Sequence, residues 1–141
     1  YDINSDGVMD LISSENGSGN IQTRTGLGSG SFSGSTNVYA VGGDLRYFAI
    51  GNLNNDSFPD LVSIENATPT VNIRMNNGSG LFGSNTSLVE PGSSGTHVLI
   101  TDMNKDGFND IVSVNYLSST VVVRLNSGIG TFPASNSYTT G

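Results

Sequence analysis

Asp2, Asn4, Asp6 and Asp10 place four oxygen-bearing side chains within one short segment, and the same spacing returns at Asn52, Asn54, Asp56 and Asp60 and at Asp102, Asn104, Asp106 and Asp110. Side chains of this kind at loop positions 1, 3, 5 and 9 suit one task, gathering hard oxygen ligands around a divalent cation. Calcium takes about six to eight oxygens at about 2.3–2.6 Å. Gly7 and Gly107 at position 6 permit the sharp reversal that lets positions 1, 3 and 5 converge. The backbone carbonyl of position 7 (Val8, Phe58 and Phe108) then faces the same point, and the aspartate at position 9 closes the shell. The expected cofactor is Ca2+, up to three ions, one per loop.

Two other readings of these loops are open. The first half matches an EF-hand loop, but that motif needs Glu at position 12 and a helix on each side. Position 12 is Ser13, Ser63 or Ser113, and both flanks read as strands, so the EF-hand is rejected. A metal-free turn rich in Asp and Asn is the alternative for any single copy. Three copies in phase favour the metal. The middle loop is expected to bind least tightly, because Asn52 removes a charge at position 1 and Ser57 stands where the others have Gly.

The charge distribution points the same way. Eight of the twelve acidic residues fall in these loops, and the net charge is −7. Like charges this close repel unless a cation lies among them, and three divalent ions would bring the total to about −1. With five basic residues, the chain has no cluster of Lys and Arg for nucleic acid. There is no Cys, and no apolar run approaches the ~20 residues of a membrane span. The sequence opens inside a motif, which suggests a processed or truncated polypeptide.

The elements that must hold the loops repeat with a period of 50 residues. Arg24, Arg74 and Arg124 align, as do Gly28, Gly78 and Gly128, and Phe32, Phe82 and Phe132. Each unit reads as β throughout. A short apolar run enters the loop (Tyr47 to Ile50, His97 to Ile100), and a second leaves it (Leu11-Ile12, Leu61 to Ile64, Ile111 to Val114). A third follows at Ile21 to Thr25, Val71 to Met75 and Val121 to Leu125, then a Gly-rich turn and a weaker strand ending near Val38, Leu88 and Tyr138. Four short strands per unit of this length is the size of a propeller blade. The fold class is therefore all-β: three four-stranded antiparallel blades of a β-propeller, the first lacking its innermost strand, incomplete as a closed ring. Residues 1–141 form one repeat array, in units of approximately 1–43, 44–93 and 94–141.

The loop in register, the strand Asp-Leu/Ile-Val/Ile-Ser and the passage Asn77-Gly78-Ser79-Gly80-Leu81-Phe82-Gly83 resemble the FG-GAP and VCBS repeat family over the whole chain. The Gly-Ala-Pro half of the namesake motif is absent; Phe132-Pro133-Ala134 is the nearest piece. The resemblance implies a β-propeller with calcium on the hairpin loops between the two inner strands. It also implies an extracellular or cell-surface setting and a role in adhesion, glycan binding or scaffolding.

Catalysis finds little material. There is one histidine, His97, in an apolar strand, and no Cys nucleophile. The chain is expected to be a non-catalytic module for adhesion, scaffolding or self-assembly, with a carbohydrate-binding propeller as the alternative. Its expected partners are further blades, from the same longer chain or from identical copies in a ring or filament, with a glycan or protein ligand besides. Arg24, Arg74 and Arg124 are expected to brace neighbouring strands rather than bind ligand. The five Tyr residues read as packing groups. Asn16, Asn55, Asn66, Asn77 and Asn85 begin Asn-x-Ser/Thr sequons, of which Asn55 lies inside an acidic loop.

Overall fold

The computed structural model describes residues 1–15, 17–68 and 70–141; the sequon at Asn16 lies outside the described residues. Strand-forming runs separated by Gly-, Asn- and Ser-rich turns give strands and, among the described residues, no helix. The first sheet holds β1 (Leu11–Glu15), β2 (Asn20–Arg24) and β3 (Asn37–Ala40). The second holds β4 (Leu45–Gly51), β5 (Asp60–Glu65), β6 (Thr70–Arg74) and β7 (Thr86–Val89). The third holds β8 (Gly95–Thr101), β9 (Asp110–Asn115), β10 (Thr120–Arg124) and β11 (Ser135–Thr139). Every pairing is antiparallel between sequence neighbours, as blades of an unclosed propeller require. Among the described residues no helix is long and apolar enough to cross a membrane.

The 50-residue phase slips once. Ile21 pairs with Tyr39, whereas Val71 pairs with Leu88 and Val121 with Tyr138. Tyr39, not Val38, therefore occupies the place expected of the outer strand in the first sheet. One extra residue before β3 is offset by one fewer before β4. The stretch Ser33-Gly34-Ser35-Thr36 has no apolar period to hold a register, so the insertion falls there at little cost.

The core consists of two layers, one at each joint between sheets. At the first joint Ile3, Ile21, Tyr39 and Val41 of the leading unit meet Leu45, Leu61 and Phe82 of the next. At the second, Leu53, Val62, Val71 and Ile73 meet Val98, Ile111 and Phe132. Covered on both faces, β5 needs no alternation, and Leu61 to Ile64 are all buried. Among the described residues no sheet covers the other face of the first, and Leu11 is 40% exposed where Leu61 and Ile111 are 0%.

Candidate functional site

The three acidic loops link β4 to β5, β8 to β9 and, in the first unit, the opening residues to β1. Each closes on itself through side chains that accept from its own backbone. In the first loop the Asp2 carboxylate accepts from the amides of Asp6 (3.2 Å) and Gly7 (2.9 Å). Asn4 Oδ1 accepts from Asp6 N at 3.0 Å, and Asp6 Oδ1 from Val8 N at 2.8 Å. The third loop repeats this with Asp102, Asn104 and Asp106. Position 4 is left-handed in all three, at Ser5, Asn55 and Lys105, and so is position 6, at Gly7, Ser57 and Gly107. These left-handed residues reverse the backbone, so that the oxygens of positions 1, 3 and 5 accept from amides of their own loop.

The middle loop is built more loosely. Asn52 has one acceptor oxygen, which takes the Asn55 amide at 2.7 Å. The bond from position 6 to position 1 that Gly7 and Gly107 make is therefore missing there. Ser57 sits at φ 76°, a conformation that costs a residue with a Cβ more than it costs glycine.

Position 9 has a different environment. Asp10, Asp60 and Asp110 are buried, and each carboxylate receives two backbone amides. Asp60 Oδ2 accepts from Leu53 N and Oδ1 from Asn76 N, both at 2.8 Å. Asp10 does the same with Ile3 and Gly26, and Asp110 with Met103 and Asn126. This aspartate fastens the loop to the turn after the third strand, and each oxygen keeps a second lone pair for an ion. Burial raises the Asp60 carboxyl above its ordinary range against the pull of the Asn76 and Leu53 amides, and the charge of Asp56 raises it further.

The donor set is wholly hard oxygen, which fits calcium. Among the described residues no loop carboxylate has a basic partner, and Lys105 makes no ion pair although it lies in a loop; the ion pairs found are Arg46–Asp44 and Arg124–Glu90. No group of three Asp, Glu, His or Cys side chains is drawn together among the described residues, so amide and carbonyl oxygens must supply much of any shell.

Asn76 and Asn126 were not singled out by the sequence reading. Asn76 Nδ2 donates to the Ile3 carbonyl at 2.8 Å, and Asn126 Nδ2 to the Leu53 carbonyl at 2.6 Å. Each ties one sheet's turn to the acidic loop of the sheet before it, and their separation by one period was the available signal. Two of the three arginines brace the neighbouring sheet: Arg74 Nη2 binds the Ala40 carbonyl, and Arg124 Nη2 the Val89 carbonyl at 2.6 Å, whereas Arg24 Nη1 binds the Ser33 carbonyl of its own unit. His97 is exposed and stacks at 4.8 Å on Tyr47.

Blades of an open β-propeller, each headed by an acidic loop, define the class of this protein. The chain matches the FG-GAP-like repeat over residues 2–63 and again over 52–113, and it belongs to that family. No curated protein matches it. A solved structure with the same fold is that of an Agrocybe aegerita lectin, which concerns specific recognition of non-reducing terminal N-acetylglucosamine. The two superpose with a TM-score of 0.57 at 19% identity, over 92% of this chain and 37% of the lectin. The chain thus spans well under half of that protein's length.

Proposed function

We propose that this chain is a non-catalytic, calcium-binding propeller module of an extracellular or cell-surface protein, acting in adhesion, scaffolding or self-assembly beside further blades. One observation supports the reading: three loops in phase each carry oxygen-bearing side chains at positions 1, 3, 5 and 9, and among the described residues no loop carboxylate has a basic partner. Asp2, Asn4, Asp6 and Asp10, with the Val8 carbonyl, would hold the first ion. Asn52, Asn54, Asp56, Asp60 and the Phe58 carbonyl would hold the second, and Asp102, Asn104, Asp106, Asp110 and the Phe108 carbonyl the third. Bound calcium supplies charge neutralisation and a cross-link between loop and strand. The side chains at positions 1, 3 and 5 set the loop's curvature, and position 9 transmits it to the strand that follows.

Calorimetric titration tests this reading. Calcium should bind with the outer loops tighter than the middle, and Asn52→Asp with Ser57→Gly should strengthen the middle one. No heat, or a middle site strongest of all, would sink it. Binding only to the folded chain also raises stability by mass action, so the melting temperature should be higher in millimolar calcium than in chelator, and Asp106→Ala should mimic chelation.

The fold shared with a lectin favours a second reading, a carbohydrate-binding propeller. Retention on an immobilised-glycan column would support it. Assembly that depends on protein concentration, with no glycan bound, supports the first.

A further inference from the structure

We propose that the three acidic loops bind calcium as a coupled series rather than as separate sites, and that Asn76 and Asn126 are the positioning residues that couple them. The inference rests on the reading that the loops hold calcium, and it adds the residues by which one site is felt at the next.

The link runs from atom to atom. In the third loop the Asp110 carboxylate, a ligand in that reading, receives Met103 N at 2.9 Å and Asn126 N at 2.8 Å. Asn126 is buried, and its side-chain amide has two hydrogens to give. One goes to the Asn109 carbonyl beside Asp110 at 2.8 Å, and the other crosses the joint to the Leu53 carbonyl of the middle loop at 2.6 Å. The amide of Leu53 is held in turn by Asp60 at 2.8 Å, and Asp60 receives Asn76 N. Asn76 Nδ2 then spans the Pro59 carbonyl at 3.2 Å and the Ile3 carbonyl of the first loop at 2.8 Å. Each asparagine thus clamps position 2 of one loop to position 8 of the next, and both positions lie between proposed ligands.

The clamps are fixed in orientation. Asn126 Oδ1 accepts from Gly128 N at 3.0 Å and Gly130 N at 3.1 Å, and Asn76 Oδ1 from Gly78 N at 3.0 Å. A buried carbonyl is costly to leave without its donor, so position 2 of one loop and the turn of the next order together. An ion that draws the position 7 carbonyl and the position 9 aspartate into one shell fixes position 8 between them. That fixes the clamp, and with it the stretch of the preceding loop that carries positions 1 and 3. The neighbouring site then has less ordering left to do, which is positive coupling.

The two links are unequal. At the second joint Asn109 Nδ2 also donates to the Asn52 carbonyl at 2.9 Å. At the first, Pro59 stands in that place and has no donor to give. The middle loop, which closes least well on itself, is therefore gripped by the third at two successive carbonyls. Its affinity should depend on the third loop more than that of the first loop depends on the middle one.

The test is a calcium titration of the full chain followed by nuclear magnetic resonance, in which the position 6 amides of Gly7, Ser57 and Gly107 report the loops one by one. Asp106→Ala empties the third loop and should weaken calcium binding at the middle loop by about fivefold to tenfold, and linkage requires Asp56→Ala to weaken the third loop by the same factor. In a chain carrying Asn126→Gly and Asn109→Ala, Asp106→Ala should leave the middle loop unchanged. Glycine keeps the brace to Asp110, since Gly26 holds the same place in the first unit and its amide reaches Asp10 at 2.8 Å. Asn126→Ser replaces that variant if circular dichroism shows it unfolded. In chelator, Asn126→Gly should speed hydrogen exchange at the Leu53 amide and leave the Ile3 amide as it was, whereas a general loss of stability would speed both. A middle loop indifferent to Asp106→Ala in the native chain, a dependence that survives the loss of both asparagines, or exchange that rises equally at both amides overturns the coupling and leaves the calcium reading standing. No calcium-induced shift at any loop overturns both.

Discussion

The first joint and the second are built on the same positions and place their polar groups differently. At the second, Glu90 lies between two donors: Arg124 Nε at 2.6 Å and Ser113 Oγ at 2.7 Å. Its side chain is 0% exposed and that of Arg124 is 9%, so this is a buried ion pair with a further hydrogen bond. At the first joint the slipped register puts Val41 in the place of Glu90. The counterparts of its two donors, Ser63 Oγ and Arg74 Nε, are then both buried without a partner. Burial lowers the Arg74 pKa, with Tyr39 opposing. The reverse exchange occurs a few residues away. Asn72 Nδ2 reaches Glu65 Oε1 at 2.7 Å in the second sheet. In the third, Val122 and Asn115 take those places, and Asn115 Oδ1 is left unpaired. Each joint thus completes one polar network and strands the remnant of the other. What the repeat holds fixed is the apolar layer and the Asn bridge to the preceding loop; the polar chemistry is free to vary.

The largest break in this comparison comes from removing the two arginines in turn. Arg124→Met leaves Glu90 buried without its counter-charge and should cost about 3–5 kcal/mol. Arg74→Met loses carbonyl contacts and the Tyr39 stack but removes an unpaired buried nitrogen, and should cost about 1 kcal/mol. Chemical denaturation of both variants decides it. Equal losses would mean that the ion pair adds nothing specific to the second joint.

Val41→Glu sharpens the comparison from the other side. Alone, a buried carboxylate is costly, but here Ser63 and Arg74 stand ready for it. The variant should lie within about 1–2 kcal/mol of the native chain, and in a cycle with Arg74→Met the pair should show a coupling of about 1–3 kcal/mol. A Val41→Glu variant that loses the same stability with Arg74 as without it would show that the two stranded donors do not face one point.

Much of this was legible beforehand, and the misses share a cause. Loops, strands and bracing arginines follow from residue types repeating in phase, and the local pattern determined each of them. The slip before β3 lies in Ser33 to Thr36, where nothing apolar marks a register. Missing it hides the fact that Glu90 corresponds to Val41 rather than Ala40, and with that the difference between the joints. The role of Asp10, Asp60 and Asp110 as receivers of two buried amides was also hidden, because a ligand and a brace call for the same residue. Asn76 and Asn126 repeat in phase, but their partners lie in the preceding unit, and the spacing along one unit does not reveal a contact between units.

The smallest expected effect comes from Val122→Asn, which is the converse of Val41→Glu. Val122 is fully buried and packs in β10 beside Ser113, its ladder partner. Asparagine is close to valine in volume, so the change is mainly chemical. Its Nδ2 would face the unpaired Asn115 Oδ1, as Asn72 Nδ2 faces Glu65 Oε1. A neutral hydrogen bond contributes about 1 kcal/mol net, and an apolar side chain of this size gives up about 1.5–3 kcal/mol when exchanged for a polar one. The net change should therefore be a loss of about 1 kcal/mol. In an Asn115→Ala background, the new amide has no acceptor and the loss should grow to about 2–3 kcal/mol. That growth is what denaturation of the four chains measures. If Val122→Asn costs the same with and without Asn115, then Asn115 Oδ1 is satisfied by solvent, and the second joint strands nothing.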